Sequence, residues 1–137
     1  MRKTIILLAT LAMAGVAMSQ TGVEKVSAVR PDSEIFTLVE QDPQFPGGND
    51  ALYQYLGQNA HYPDKAKADG IQGTVYLTFI IEKDGSISNI RVLRSPSDLL
   101  SQEAIRLVKA MPKWKPGKQR GKQVRVQYNL PINFQID

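Results

Sequence analysis

Every even position from Val124 to Ile136 is apolar: Val124, Val126, Tyr128, Leu130, Ile132, Phe134 and Ile136. The odd positions between them are Arg125, Gln127, Asn129, Pro131, Asn133 and Gln135. Strict period-two alternation marks a strand with one buried and one wet face. Proline has no N–H to give to a sheet ladder, so Pro131 belongs on an edge strand rather than a central one. In an antiparallel strand the N–H and C=O of one residue point to the same side, and successive residues alternate. Pro131 spares the ladder a lost bond only if the odd backbone groups face outward. Arg125, Gln127 and Asn129 then offer free groups to an incoming chain. An edge of this length is a liability unless something covers it or pairs with it.

The segments before this strand specify what it packs on. In "GTVYLTFIIEKDGSISNIRVLRS" Val75, Leu77, Phe79 and Ile81 fall on one face, and Thr74, Tyr76 and Thr78 on the other. Asp84-Gly85 is a strong hairpin turn signal, because glycine accepts positive φ. Ser97 or Asp98 caps a helix running to about Met111, with Leu100, Ala104, Leu107, Val108 and Met111 at spacings of three and four. Pro112 and Pro116 end it, and Trp114 between them reads as a core plug closing the helix onto the sheet. Upstream, "EIFTLVE" over Glu34–Glu40 predicts a short strand. "QDPQFPGGND" predicts a structured turn, and a helix capped by Asn49 or Asp50 follows, carrying Leu52, Tyr53, Tyr55 and Leu56 and ending at Gly57. Pro63 to Ala68 predicts a second short helix stopped by Gly70.

Hairpin, helix, strand in that order makes the second hairpin strand and the last strand parallel, joined by a right-handed crossover. The expected fold class is α+β: a three-stranded antiparallel or mixed sheet of split β-α-β type. Its order is 2-1-3, counting the hairpin strands as 1 and 2, with the two main helices on one face.

The first residues stand apart. Arg2 and Lys3 precede an uncharged, largely apolar run from residue 5 to 18, and Ala17-Met18-Ser19 offers a cleavage site. Residues 1–19 therefore predict a secretory signal peptide and a periplasmic protein; inner-membrane anchoring by residues 5–18 is the alternative. Residues 20–33, polar and without period, predict a flexible arm, and 34–137 the folded domain. The net charge of +4 includes Arg2 and Lys3, so cleavage leaves 15 basic against 13 acidic residues. Six cations nevertheless crowd the acid-free stretch from Lys113 to Arg125. Lys115, Lys118, Arg120 and Lys122 are the expected steering charges for an acidic partner surface. No recognition helix or RNA-binding aromatic motif accompanies them, so nucleic acid is not the expected partner.

Chemistry is scarce. The chain has no cysteine and one histidine, His61, which gives neither a zinc-type ligand set nor a catalytic base for its serines. The "PGG" before a helix is too little for a phosphate loop. The expectation is a non-enzyme without cofactor or metal.

At this point the residues resemble a known family. "FPGG", Tyr62-Pro63 with "DKAKADGIQGTV", Asp84-Gly85, "EAIRLVKAMPKWKPG" and the last strand together are similar to the carboxy-terminal domain of TonB, the energy transducer of Gram-negative envelopes. The resemblance covers about residues 34–137. It implies a periplasmic domain that grips the TonB box of TonB-dependent outer-membrane transporters, in energy-dependent transport. The box adds as a strand beside Val124, Arg125, Val126, Gln127, Tyr128 and Asn129, and Asn59, Ala60 and His61 also touch it. The last three stand where the best-known transducer has Gln-Pro-Gln. Inner-membrane motor proteins of the ExbB/ExbD type are implied partners if the amino terminus stays uncleaved, and pairing of the domain with itself remains open. The rival class is a structural envelope or adaptor protein that holds anionic polymer or another protein without transporter recognition.

Overall fold

The fold grows from a ladder between two strands far apart in sequence. The computed structural model describes residues 33–137; the expected signal peptide and the arm up to residue 32 lie outside the described residues. In chain order the elements are β1 (Ile35–Phe36), α1 (Asn49–Asn59), α2 (Asp64–Ala68), β2 (Gly73–Ile81), β3 (Ile87–Arg94), α3 (Asp98–Lys109), β4 (Gly117–Gln119) and β5 (Lys122–Phe134). β2 and β5 pair antiparallel in unbroken register, from Gly73 opposite Phe134 to Ile81 opposite Val126. β3 hairpins onto the other side of β2. The three long strands thus take the expected 2-1-3 order, with β3 and β5 parallel to each other because each runs against β2.

Two short strands extend this plan. β1 pairs parallel with β5, Ile35 beside Arg125 and Phe36 beside Val126. It covers less than the expected strand over residues 34–40, because the chain bends away at Thr37. The sheet path is therefore β1-β5-β2-β3, with β4 attached to the start of β5. β4 lies in what reads as a basic loop. Arg120 and Gly121 turn it back with φ of 55° and 76°, the paired positive values a two-residue hairpin turn needs.

The alternation of β5 sorts as expected. Val126, Leu130, Ile132 and Phe134 are buried while Gln127, Asn129, Pro131 and Asn133 are exposed. Leu130, Ile132 and Phe134 join Val75, Leu77, Phe79 and Ile81 of β2 in one core with Leu52 and Leu56 of α1 and Leu100, Ala104, Leu107 and Val108 of α3. Ser97 caps α3, its side chain accepting the Leu100 N–H at 3.2 Å. α1 corrects the expected cap: Gly48 takes that position at φ 90° with no side-chain bond, and the helix continues past Gly57 to Asn59. The Pro46-Gly47-Gly48 turn holds the cap position at a positive φ that L side chains rarely adopt, so glycine stands there.

Trp114 is 3% exposed and packs against Tyr128, Phe45 and Phe79, with ring centroids 4.9, 5.6 and 5.8 Å away. Its backbone N–H donates to the Gly85 carbonyl at 2.9 Å, so the hairpin turn and the end of α3 are tied together. Gly85 holds φ +89°, and a Cβ there would run into the Trp114 carbonyl. Gly121 is also at positive φ, but no atom lies within 4 Å of its would-be Cβ. Gly121→Ala is expected to cost about 1–2 kcal/mol, the price of left-handed backbone alone. Gly85→Ala should cost more, on the order of 3 kcal/mol, because the clash adds to it. Chemical denaturation of both variants checks the contrast, and equal losses would show that the turn can move off Trp114.

Candidate functional site

The outer edge of β5 has no strand partner past Val126 among the described residues. Register with β2 is unbroken across Pro131, which sits opposite Tyr76. That ladder keeps its bonds only if residue 131 points its backbone away from β2. The Thr78 hydroxyl donates to the Tyr128 carbonyl at 3.2 Å, which places an even carbonyl on the β2 side and agrees with that parity. Gln127, Asn129 and Pro131 therefore turn their backbone groups outward. Among the described residues no strand pairs with β5 on that side beyond Val126.

Of the residues expected to hold a peptide, Val124 pairs with Gly117, and Arg125 and Val126 pair with β1. Gln127, Tyr128 and Asn129 form the open part of the edge. They line a groove of about 440 Å³ together with Val126, and its far wall is Thr37, Asp42, Pro43, Gln44 and Asn49. Gln44 and Gln41 fix this wall by exchanging backbone hydrogen bonds with Lys115 and Lys118, at 2.7–3.1 Å. On the groove floor Tyr128 is half-buried, and burial, with Tyr53 and Asp42 nearby, raises its hydroxyl above the ordinary pKa.

Asn59, Ala60 and His61 sit elsewhere, at the opposite end of α1 from Asn49. The Asn59 carbonyl accepts from Arg106 at 2.8 Å, and the His61 N–H donates to the Glu103 carboxylate at 2.6 Å. Arg106 in turn grips Glu103 through Nε and one terminal nitrogen, at 2.8 and 2.6 Å. Tyr62 stands edge-on to Phe134 at 5.9 Å, so this segment is held beside the far end of β5. The structure thus separates the two expected parts of the site instead of merging them in one pocket.

The loop cations are structured as well. Lys118 and Lys122 belong to the β4–β5 hairpin, and the Arg120 N–H donates to the Glu40 carboxylate at 2.7 Å. Sequence reasoning missed the 42–49 wall and the Glu103–Arg106 clamp. Glu103 lies on the apolar stripe of α3 three residues before Arg106, which is the spacing of a helical ion pair; that was the available signal.

A sequence model of the family described as Gram-negative bacterial TonB protein C-terminal matches residues 58–136. Protein TonB of Pseudomonas aeruginosa is 39% identical over 79 residues, 56% of this chain and 22% of that protein. Protein TonB of Helicobacter pylori is 34% identical over 56 residues, 40% of this chain and 20% of that one. The solution structure of the Helicobacter pylori TonB C-terminal domain superposes with a TM-score of 0.50 at 24% identity, over 67% of this chain and 87% of that one; it shares the fold. The chain belongs to the TonB C-terminal family, and its matches span about a fifth of the length of the curated relatives. Among the described residues no helix is long and apolar enough to cross a membrane.

The Glu103 clamp makes a pH prediction. Burial would raise the Glu103 pKa, but the bonds from Arg106 and the His61 N–H outweigh it and hold the carboxyl below its ordinary value. A lowered folded pKa gives stability that is present above the unfolded value, near ~4.3, and is lost as pH falls through the folded one. Glu103→Gln should therefore cost about 1–3 kcal/mol at neutral pH and progressively less below pH ~4. Thermal unfolding across that range checks it; a loss that does not change with pH would assign the cost to packing and not to the ionised carboxylate.

Proposed function

We propose that this domain binds an extended peptide, the TonB box of outer-membrane transporters, by strand addition to the outer edge of β5, in energy-dependent transport from the periplasm. The observation that carries the reading is an edge whose backbone groups are free from the Gln127 carbonyl on, past its pairing with β1, while the buried face of the same strand is fixed in the core. Main-chain hydrogen bonds supply affinity in such a mode, and pockets for alternate side chains supply selectivity. The groove beside Val126–Asn129 is the space the added strand would occupy. Lys115 and Lys118 belong to the segment that braces the wall, and with Arg120 and Lys122 they are the charges proposed to steer encounter more than to hold the complex. Asn59, Ala60 and His61 serve a longer ligand that runs along β5 toward Phe134.

β1 adds a constraint. It occupies the edge at Arg125 and Val126, so a peptide begins at Gln127 or displaces a strand of two residues. Such a strand holds little, and the affinity of any ligand reaching residue 125 is scaled down by the fraction of time β1 is out of place.

Two experiments test the reading. Synthetic peptides from transporter amino-termini, added to labelled protein, should shift the amide signals of Gln127 and Asn129. Gln127→Pro should abolish that response while leaving the fold, since its N–H faces outward and serves only the two-residue pairing with β1. Val126→Pro should unfold the domain, because Val126 is 4% exposed and lies opposite Ile81 in the ladder. Peptide shifts that survive in Gln127→Pro would place the binding surface elsewhere. Replacing Ile35 and Phe36 by glycine should tighten a peptide long enough to reach residue 125 by about fivefold, the factor given by ~1 kcal/mol. Weaker binding in that variant would make β1 part of the site and not its competitor.

A further inference from the structure

The sheet face opposite the helices carries a second feature that begins at the same edge. Cross-strand neighbours fall in rows on that face: Gln127, Ile80 and Ser88 in one, Asn129, Thr78 and Arg91 in the next, Pro131, Tyr76 and Arg94 in a third. One groove of about 460 Å³ crosses these strands, from Ile35 and Gln127 at the β5 edge to Asn89 and Arg91 on β3. Its floor is apolar and closely packed, with Ile80 6% and Thr78 3% exposed. At its far end Arg91 is exposed, and Arg94 beside it stacks on Tyr76, 4.8 Å from the ring centroid.

The charge on this face is unbalanced. The carboxylate next to these rows is Glu82, and it is already engaged: Arg125 donates to it at 2.7 and 3.2 Å, and Ser88 donates as well. Those hydrogen bonds from Arg125 hold the Glu82 carboxyl below its ordinary pKa range. Among the described residues neither Arg91 nor Arg94 has a carboxylate within salt-bridge distance. Guanidinium groups are built to pair carboxylates through a planar fork. Here Arg91 lies at the end of a groove that starts where an added strand would lie, and Arg94 lies in the next row of the same face, both without acids of their own. From the β5 edge the path crosses about two strand spacings, roughly 10 Å, within reach of a few extended residues.

We propose that the ligand of this domain is bipartite: a strand-forming segment pairs with β5 from Gln127, and an acidic stretch flanking it crosses the open face to Arg91 and Arg94. This rests on the edge reading above and adds to it the chemistry of the flanking residues. An acidic tail would lie over Ile80 and Thr78 and neutralise the arginines, while the neutral Gln127 and Asn129 at the start of the path impose no charge of their own. Each such pairing is partly exposed, so the tail modulates affinity and does not create it.

The test uses the full domain and paired peptides. A transporter amino-terminal peptide is extended at either end in turn by a glycine linker and glutamates, or by the same linker and glutamines, and binding is measured by calorimetry or fluorescence anisotropy. On the wild-type domain the glutamate tail at one end should tighten binding by about threefold to tenfold over glutamine, less at high salt. In R91Q/R94Q the two tails should bind alike while the untailed peptide keeps its affinity. The two arginines are exposed on an outer strand, so the fold should persist, and circular dichroism confirms it. A glutamate gain that survives in R91Q/R94Q but disappears in K118Q/K122Q assigns the effect to the β4–β5 hairpin and overturns the proposal. So does a polyglutamate tail that binds equally well without the strand-forming segment. If the untailed peptide binds neither protein, the edge reading itself falls and this inference with it; if it binds and the tails make no difference, only the bipartite ligand is refuted.

Discussion

The ladder between β2 and β5 is the interaction on which the rest of this domain depends. It joins residues more than forty apart in sequence, so its closure must be repaid by contacts formed at the same time. The repayment comes from the side chains that the ladder aligns. Val75, Leu77, Phe79 and Ile81 meet Val126, Leu130, Ile132 and Phe134 on one face, and the helices close over both sets. A slip of one residue would turn each of those side chains to solvent and present Pro131's missing N–H to β2. Register, core and the direction of the free edge are therefore one specification, not three.

Trp114 locks that specification from outside the ladder. It brings together the turn at Gly85, the end of α3 and the floor residue Tyr128. Tyr128 thus faces two ways: its ring supports the core, and its strand neighbours Gln127 and Asn129 present the edge. The neighbouring wall is fixed by the same segment, because Lys115 follows Trp114 directly and bonds to Gln44. A groove beside a strand is useful only if it keeps its width, and here both walls trace back to one buried indole.

Long periodic segments were legible in the sequence, and short paired ones were not. The alternation of β5, the hairpin at Asp84-Gly85 and the apolar stripe of α3 each carry their signal within their own residues. β1 and β4 do not. A two-residue strand has no period to read, and Ile35–Phe36 becomes a strand only because Arg125 and Val126 are beside it. The Arg120-Gly121 turn could have been read as a hairpin, but a run of lysines with few apolar residues reads as solvent-facing loop. The edge was predicted from Pro131 alone, whereas its wall at residues 42–49 depends on partners some seventy positions away. The Asn59–His61 segment shows the same limit. Its place beside α3 follows from the Glu103–Arg106 pair, whose tertiary role local spacing does not reveal.

The two edges of the sheet differ in a way that argues for use of one of them. β3, the opposite edge, is interrupted twice: the register slips at Leu93 and again at Asn89–Ile90, where Asn89 takes φ 50°. Each slip inserts one extra residue on the outer strand, which breaks the regular row of donors and acceptors and twists the edge. Arg91 and Arg94 add charge along it. Bulges and charges of this kind are how sheets keep an edge from pairing with other chains. β5 has no such interruption over its nine pairs with β2; its outward side is straight from Gln127, with Pro131 as a gap and, among the described residues, the two-residue β1 as its cover. A sheet under selection only for solubility would blunt both edges. This one blunts β3 and leaves β5 regular, which is the asymmetry that the strand addition proposed above requires.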